Sequence, residues 1–170
     1  MKTMTSARRR GKASFFAVLG VSGLLVLLAS PLSGPSTAAV SERIVTDLHT
    51  GLAISGYDPV AYFTDAAPIV GRAEFEYRFK GVIWRFDNEG NLAAFAKHAE
   101  QYVPRFGGYD PIAVARGVAL AGNPAYWVIA RDRLYLFYNP VALENFRADI
   151  DNAVSAAEAK WPQVMEGLTP

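Results

Sequence analysis

The chain has 170 residues, near the length of one typical domain, and its 51% hydrophobic and 19% charged residues are a globular composition that excludes intrinsic disorder and predicts a single core. It holds no cysteine, which excludes disulfides, thiolate metal ligands, cysteine nucleophiles and lipid attachment through an N-terminal Cys. When the five cations that precede every acidic residue (Lys2, Arg8, Arg9, Arg10 and Lys12) are set aside from the 17, 12 basic residues face 16 acidic ones, and a mildly acidic body without a Lys/Arg stripe makes nucleic acid an unexpected partner.

Residues 1–39 order their features as a secretory signal peptide does. Basic Arg8-Arg9-Arg10-Gly11-Lys12 comes first, then an apolar run from Phe15 to Ala29, then Pro31, Gly34 and Pro35, and last the small residues Thr37-Ala38-Ala39. The run is shorter than the roughly 20 residues that span a bilayer, so cleavage after Ala38 or Ala39 is expected; the alternative is an uncleaved N-terminal anchor. The protein is therefore expected to be exported, periplasmic or extracellular, or else tethered to the membrane by this segment. The paired arginines also fit twin-arginine export, although Gly11-Lys12-Ala13 follows where a large apolar residue would strengthen that motif.

Residues 40–52 have little periodicity and read as an extended lead-in, with His49 solvated. The domain proper is expected over 53–166. Ala73 to Phe79 alternates apolar and charged residues, and Val82, Trp84 and Phe86 resume the alternation after Lys80-Gly81, which predicts an antiparallel hairpin. Asp87 or Asn88 is placed to cap a helix whose buried stripe is Leu92, Phe95, Ala96 and Ala99. Pro104 and Gly107-Gly108 end that segment.

Tyr126 to Ala130 and Leu134 to Tyr138, parted by Arg131-Asp132-Arg133, read as a second hairpin, more buried on both faces than the first. From Val141 one apolar stripe runs through Leu143, Phe146, Ile150, Val154, Ala157, Trp161 and Val164, predicting a helix that stops near Lys160 because of Pro162. The fold class expected is α+β, a small antiparallel sheet built from two hairpins with helices packed on one face. No internal repeat and no low-complexity tract is expected.

The segment Gly56-Tyr57-Asp58-Pro59-Val60-Ala61-Tyr62-Phe63 resembles the YHS domain family. The likeness continues in order through Phe75-Glu76-Tyr77, Gly81-Val82-Ile83-Trp84-Arg85-Phe86, Leu92 to Phe95, Tyr102-Val103-Pro104-Arg105-Phe106-Gly107-Gly108-Tyr109, Leu134-Tyr135-Leu136 and Lys160-Trp161-Pro162. The resemblance implies a small α+β domain and, in members that carry cysteines, binding of heavy metals, copper in particular. Ala61, Asp87 and Asp110 stand where cysteine-bearing members have Cys, so no soft ligand is present at those positions.

Two sets of candidate residues follow. Asp58, His98 and Asp110 are metal-ligand candidates for a harder or borderline cation; each also has a structural reading, as a turn acceptor, a helix-end cation or a cap. Tyr57, Asp58, Tyr102, Tyr109, Asp110 and Trp127 are candidates for a small-ligand pocket, since aromatics with polar tips supply contact area and fixed hydrogen bonds; core packing is the competing reading. The loop Gly107-Gly108-Tyr109-Asp110 allows close backbone approach of a ligand or of another strand. No Gly-x-Ser-x-Gly elbow is present.

Three functional readings therefore stand. The leading one is a non-enzymatic envelope module that binds a small ligand or an envelope protein. The second is a divalent or heavy-metal-binding domain with carboxylate and His ligands in place of cysteine, and the third is an enzyme of undefined chemistry. No cofactor is predicted beyond that divalent metal, and membrane contact is expected solely through an uncleaved leader.

Overall fold

The alternating runs do pair: β1 (Arg72–Phe79) and β2 (Val82–Phe86) form an antiparallel hairpin. Lys80 and Gly81 turn between them at φ 51° and 83°, the left-handed pair that matches strand twist. The computed structural model describes residues 43–168; the expected signal peptide at 1–39 lies outside the described residues, as do residues 40–42 of the lead-in. Around the hairpin stand helix α1 (Ala61–Thr64), α2 (Glu89–Tyr102), α3 (Pro111–Val114), strands β3 (Asn123–Ala130) and β4 (Arg133–Phe137), and helices α4 (Pro140–Ala148) and α5 (Ile150–Glu166). The fold is α+β.

Backbone hydrogen bonds do not join the two hairpins into one small sheet; among the described residues they form two separate two-stranded sheets, β1-β2 and β3-β4. Side chains join them instead. Leu134 and Leu136 of β4 belong to a first core with Trp84, Phe86 and Phe95, whereas Tyr135 and Phe137 belong to a second with Phe146, Val154 and Ala157. Successive side chains of a strand point to opposite faces, so β4 lies between two cores and is buried on both sides, as its composition predicts.

The expectation of no internal repeat is overturned. Gly56-Tyr57-Asp58-Pro59 recurs as Gly108-Tyr109-Asp110-Pro111, a spacing of 52 residues from Asp58 to Asp110; after one residue drops from the following connection, Gly71, Phe86, Asn88 and Phe95 recur 51 residues on as Gly122, Phe137, Asn139 and Phe146. The geometry repeats with the residues. β1 pairs with β2 with a register break between Arg72 and Glu76, and β3 pairs with β4 with the same break between Asn123 and Trp127. Asn88 caps α2 by accepting from the Asn91 amide, and Asn139 caps α4 by accepting from the Ala142 amide, both at 2.9 Å. Phe86 and Phe95 have ring centroids 5.1 Å apart, as do Phe137 and Phe146. A Cβ on Gly71 would stand 2.5 Å from the Arg85 backbone and one on Gly122 2.6 Å from Leu136, so the same close approach demands glycine in both halves.

The tail also departs from expectation. The single stripe from Val141 is broken at Asp149 (φ −156°, ψ 82°), whose side chain accepts from the Asn152 amide and starts α5. The helix then passes through Pro162 to Glu166. Pro162 leaves the carbonyl four residues back without its helical donor; Glu158 and Pro162 are both exposed, so water can serve it.

Each half is tied by one carboxylate. Asp58 Oδ1 accepts from the amides of Val60 (2.8 Å) and Ala61 (3.3 Å), and its Oδ2 accepts from the Asp87 amide (2.9 Å) and the Asn91 side chain (2.7 Å). Asp110 repeats this, with Oδ1 on the amides of Ile112 (2.7 Å) and Ala113 (3.3 Å) and Oδ2 on that of Tyr138 (2.9 Å). Both side chains are buried. Replacing either by Ala leaves several buried donors unpaired, so Asp58→Ala and Asp110→Ala should each lose about 3 kcal/mol or more in urea unfolding. Asn should not rescue either position, because its amide nitrogen would face a backbone N–H. Wild-type stability of the Asn variants would refute this account.

Candidate functional site

The sequence-predicted residues are not brought together. Tyr57 packs on the first core and Tyr109, its counterpart in the second half, lies in the second core 6.2 Å from Trp161. Tyr102 meets Phe63 edge-on at 5.3 Å, and Trp127 meets Tyr62 at 5.1 Å. Trp127 lines an open depression of about 490 Å³ with Tyr62, Leu143 and Arg147, away from the other candidates. Of the aromatic pocket candidates, Tyr57, Tyr102 and Trp127 pack against the first core and Tyr109 belongs to the second. Asp58 and Asp110 are engaged by the backbone donors described above, and His98 is exposed on α2. Among the described residues no three His, Cys, Asp or Glu side chains stand together as metal ligands could.

A more enclosed cleft, of about 480 Å³, lies elsewhere. Its volume falls within the roughly 300–1,000 Å³ of small-molecule sites. The end of α2 supplies Glu100 and Val103, the β1-β2 turn supplies Lys80, the turn before α3 supplies Arg105 and Phe106, and α5 supplies Trp161 and Met165. Arg133, the first residue of β4, and Arg43 with Ile44 from the lead-in arm complete it. The Gly107 loop contributes as well, but the close approach that its glycine permits is to the arm: the Val45 amide donates to the Gly107 carbonyl at 2.8 Å, and a Cβ on Gly107 would stand 1.9 Å from the Arg43 carbonyl oxygen.

Four cations line this cleft, and they differ in their partners. Lys80 binds Glu100 at 2.9 Å, and Arg105 binds Glu158 at 2.5 Å. Arg133 has no carboxylate partner among the described residues; one Nη donates to the Val103 carbonyl at 3.4 Å, and its buried Nε is the one buried side-chain nitrogen or oxygen among the described residues without a hydrogen-bond partner. Burial lowers its pKa, and the neighbouring charge of Arg105 lowers it further. An unpaired buried donor costs about 1–3 kcal/mol. Phe106 and Trp161 also line the cleft, with ring centroids 5.5 Å apart, and the Arg105 guanidinium lies over the Phe106 ring at 5.4 Å.

None of Arg43, Lys80, Arg105 and Arg133 stood among the sequence candidates. Arg133 was read as part of a three-residue break, whereas the turn is Arg131-Asp132 alone, at φ 49° and 56°. The internal repeat is the signal that could have found it, since Arg133 occupies the position held by Val82 in the first half. No family model, no curated protein and no solved structure matches this chain.

Beside the open depression, the Tyr62 hydroxyl donates to the Pro124 carbonyl at 3.0 Å. Burial raises its pKa well above the ordinary tyrosine value, with Tyr57 and Asp58 adding to the rise. The native state thus favours the neutral phenol, so this contribution is whole below the unfolded value of about 10 and is lost as pH rises toward the folded one. In urea unfolding between pH 9 and 11.5, wild type should lose stability faster than Tyr62→Phe above pH 10, by up to about 1.4 kcal/mol per pH unit. Parallel profiles for the two proteins would remove Tyr62 from the alkaline limit.

Proposed function

We propose that this chain is an exported, YHS-like, non-enzymatic module of the cell envelope that captures a small anionic ligand in the basic cleft. The observation that carries the reading is Arg133, a half-buried lining cation with no carboxylate at ion-pair distance among the described residues, in a cleft of ligand size. A charged donor taken out of water asks for an acceptor, and a ligand's anionic group would supply one. The half-buried ring of Trp161 gives such a ligand contact area and orientation.

Binding is favoured over catalysis by the lining itself. Its charged groups are Arg43, Arg105, Arg133 and the Lys80–Glu100 pair; arginine stays protonated, and Glu100 is held by Lys80. None of these is a poised general base or nucleophile. The leader's order of charge, apolar run and small residues supports export.

Thermal unfolding of the purified protein against small anions, neutral metabolites and divalent metals tests this reading. A ligand that binds the native state at 100 times its Kd adds about 2.7 kcal/mol, so anions should raise the midpoint and Arg133→Val should abolish the rise. A midpoint raised by a divalent metal, with every anion silent, would favour the carboxylate–His metal reading instead. Recovery from the envelope of a chain whose N-terminus is Ala39 or Val40 is the expected outcome for export.

A further inference from the structure

The two half-units offer an internal comparison that says which cleft residues the fold does not require. Arg133 opens β4, and its counterpart opening β2 is Val82, half-buried against the first core. Arg105 opens the strained turn before α3, and its counterpart is the wholly buried Ala53. A valine and an alanine serve these backbone positions in one half, so the arginines of the other are explained by what they face.

What they face has one charge to fill. Lys80 and Arg105 already hold Glu100 and Glu158, and Arg43 is exposed, where water screens it. Arg133 is half-buried and, among the described residues, has no carboxylate at ion-pair distance. The planar Nη–H edge of a guanidinium can donate to two oxygens of one anionic group. The rest of the lining includes Ile44, Val103 and Phe106, which are buried, and Trp161 and Met165, which are half-buried and give the cleft its exposed apolar surface.

We infer that the occupant is a monocarboxylate with a flat apolar body, its carboxylate on Arg133 and its body along Trp161 and Met165. This rests on the binding reading above and narrows it to a ligand class. One negative charge neutralises the one half-buried cation without an ion-pair partner, whereas a phosphate dianion would bring a second charge, and further oxygens, among apolar side chains.

Isothermal titration calorimetry of the purified protein with phenylacetate, phenylacetamide, acetate and phenyl phosphate tests it. Phenylacetate should bind on the order of tenfold or more tightly than its neutral amide, which lacks the charge, and than acetate, which lacks the body. Arg133→Val should weaken phenylacetate by a similar factor while raising the thermal midpoint of the ligand-free protein, a pairing that misfolding would not produce. Arg131→Met, at an exposed residue paired with Asp151 outside the cleft, should bind as wild type does. Equal affinity for acid and amide, or unchanged binding by Arg133→Val, would overturn the inference. Binding of phenyl phosphate with phenylacetate silent would overturn the carboxylate class and leave the anion-binding reading intact. Silence of all four at millimolar concentration, with no anion raising the thermal midpoint, would end both.

Discussion

A buried carboxylate that accepts from two separate stretches of backbone is the constraint on which each half of this fold depends. Asp58 holds the first amides of α1 with one oxygen and the amide at the end of β2 with the other, and Asp110 does the same for α3 and β4. The proline that follows each aspartate has no N–H of its own to satisfy, and Pro111 also presets the first residue of α3. Just before each clamp the chain passes through left-handed backbone, at Ile54 and Ser55 in one half and at Phe106 and Gly107 in the other. A β-branched residue such as Ile54 at φ 42° is strained, at about 1–3 kcal/mol, and persists because its surroundings over-determine it. Its amide is taken by the Val45 carbonyl, and its own carbonyl accepts from the Tyr57 amide.

Much of the architecture was legible because it rests on patterns that side-chain polarity reports directly. The alternation from Ala73 to Phe86 marked the first hairpin, and the continuous apolar run of β4 marked a strand buried on both faces. The stripe from Leu143 to Val164 marked the face presented to the second core, although not its break at Asp149, which depends on one residue's backbone angles. The repeat was harder to see for a physical reason. The residues it keeps are those the backbone needs, the Gly-Tyr-Asp-Pro turn, the capping asparagines and the close-approach glycines, while the core exchanges Trp84 for Tyr135 and Tyr62 for Val114. Packing tolerates such exchanges when total volume is shared among neighbours.

The candidate site was less legible than the fold. A carboxylate beside a proline can accept backbone amides or hold a cation, and the sequence presents both uses alike; the hydrogen bonds of Asp58 and Asp110 place them with the backbone. The tyrosines carried the same ambiguity between pocket and core, and Tyr109 resolves into the core beside Trp161. Arg133 was hidden by a boundary one residue out of place. Read as turn, an arginine is ordinary; read as the first residue of β4, it is a charge carried under α5 and the arm.

That position shows how a duplicated frame acquires a site. The two halves share their turns, caps and hairpin registers, but α5 follows the second half alone, and the arm meets the Gly107 loop, so the half-buried opening of β4 faces a cleft lined by α5 and the arm whereas that of β2 packs on the first core. Leu136 shows the same asymmetry one step along: it is buried between the hairpins, while its counterpart Arg85 reaches outward to Glu76 at 2.8 Å. Cover of this kind ordinarily selects an apolar residue, and Leu134 and Leu136 obey that rule. Arg133, half-buried at the cleft, carries a charge instead. An uncompensated guanidinium lowers the stability of the empty protein and strengthens its interaction with any anion that enters, because the low dielectric that penalises the lone charge also strengthens the pair once formed. The departure from symmetry and the charge without an ion-pair partner fall on the same residue, which is why the proposed binding site is sought in a cleft that draws on both halves of the repeat.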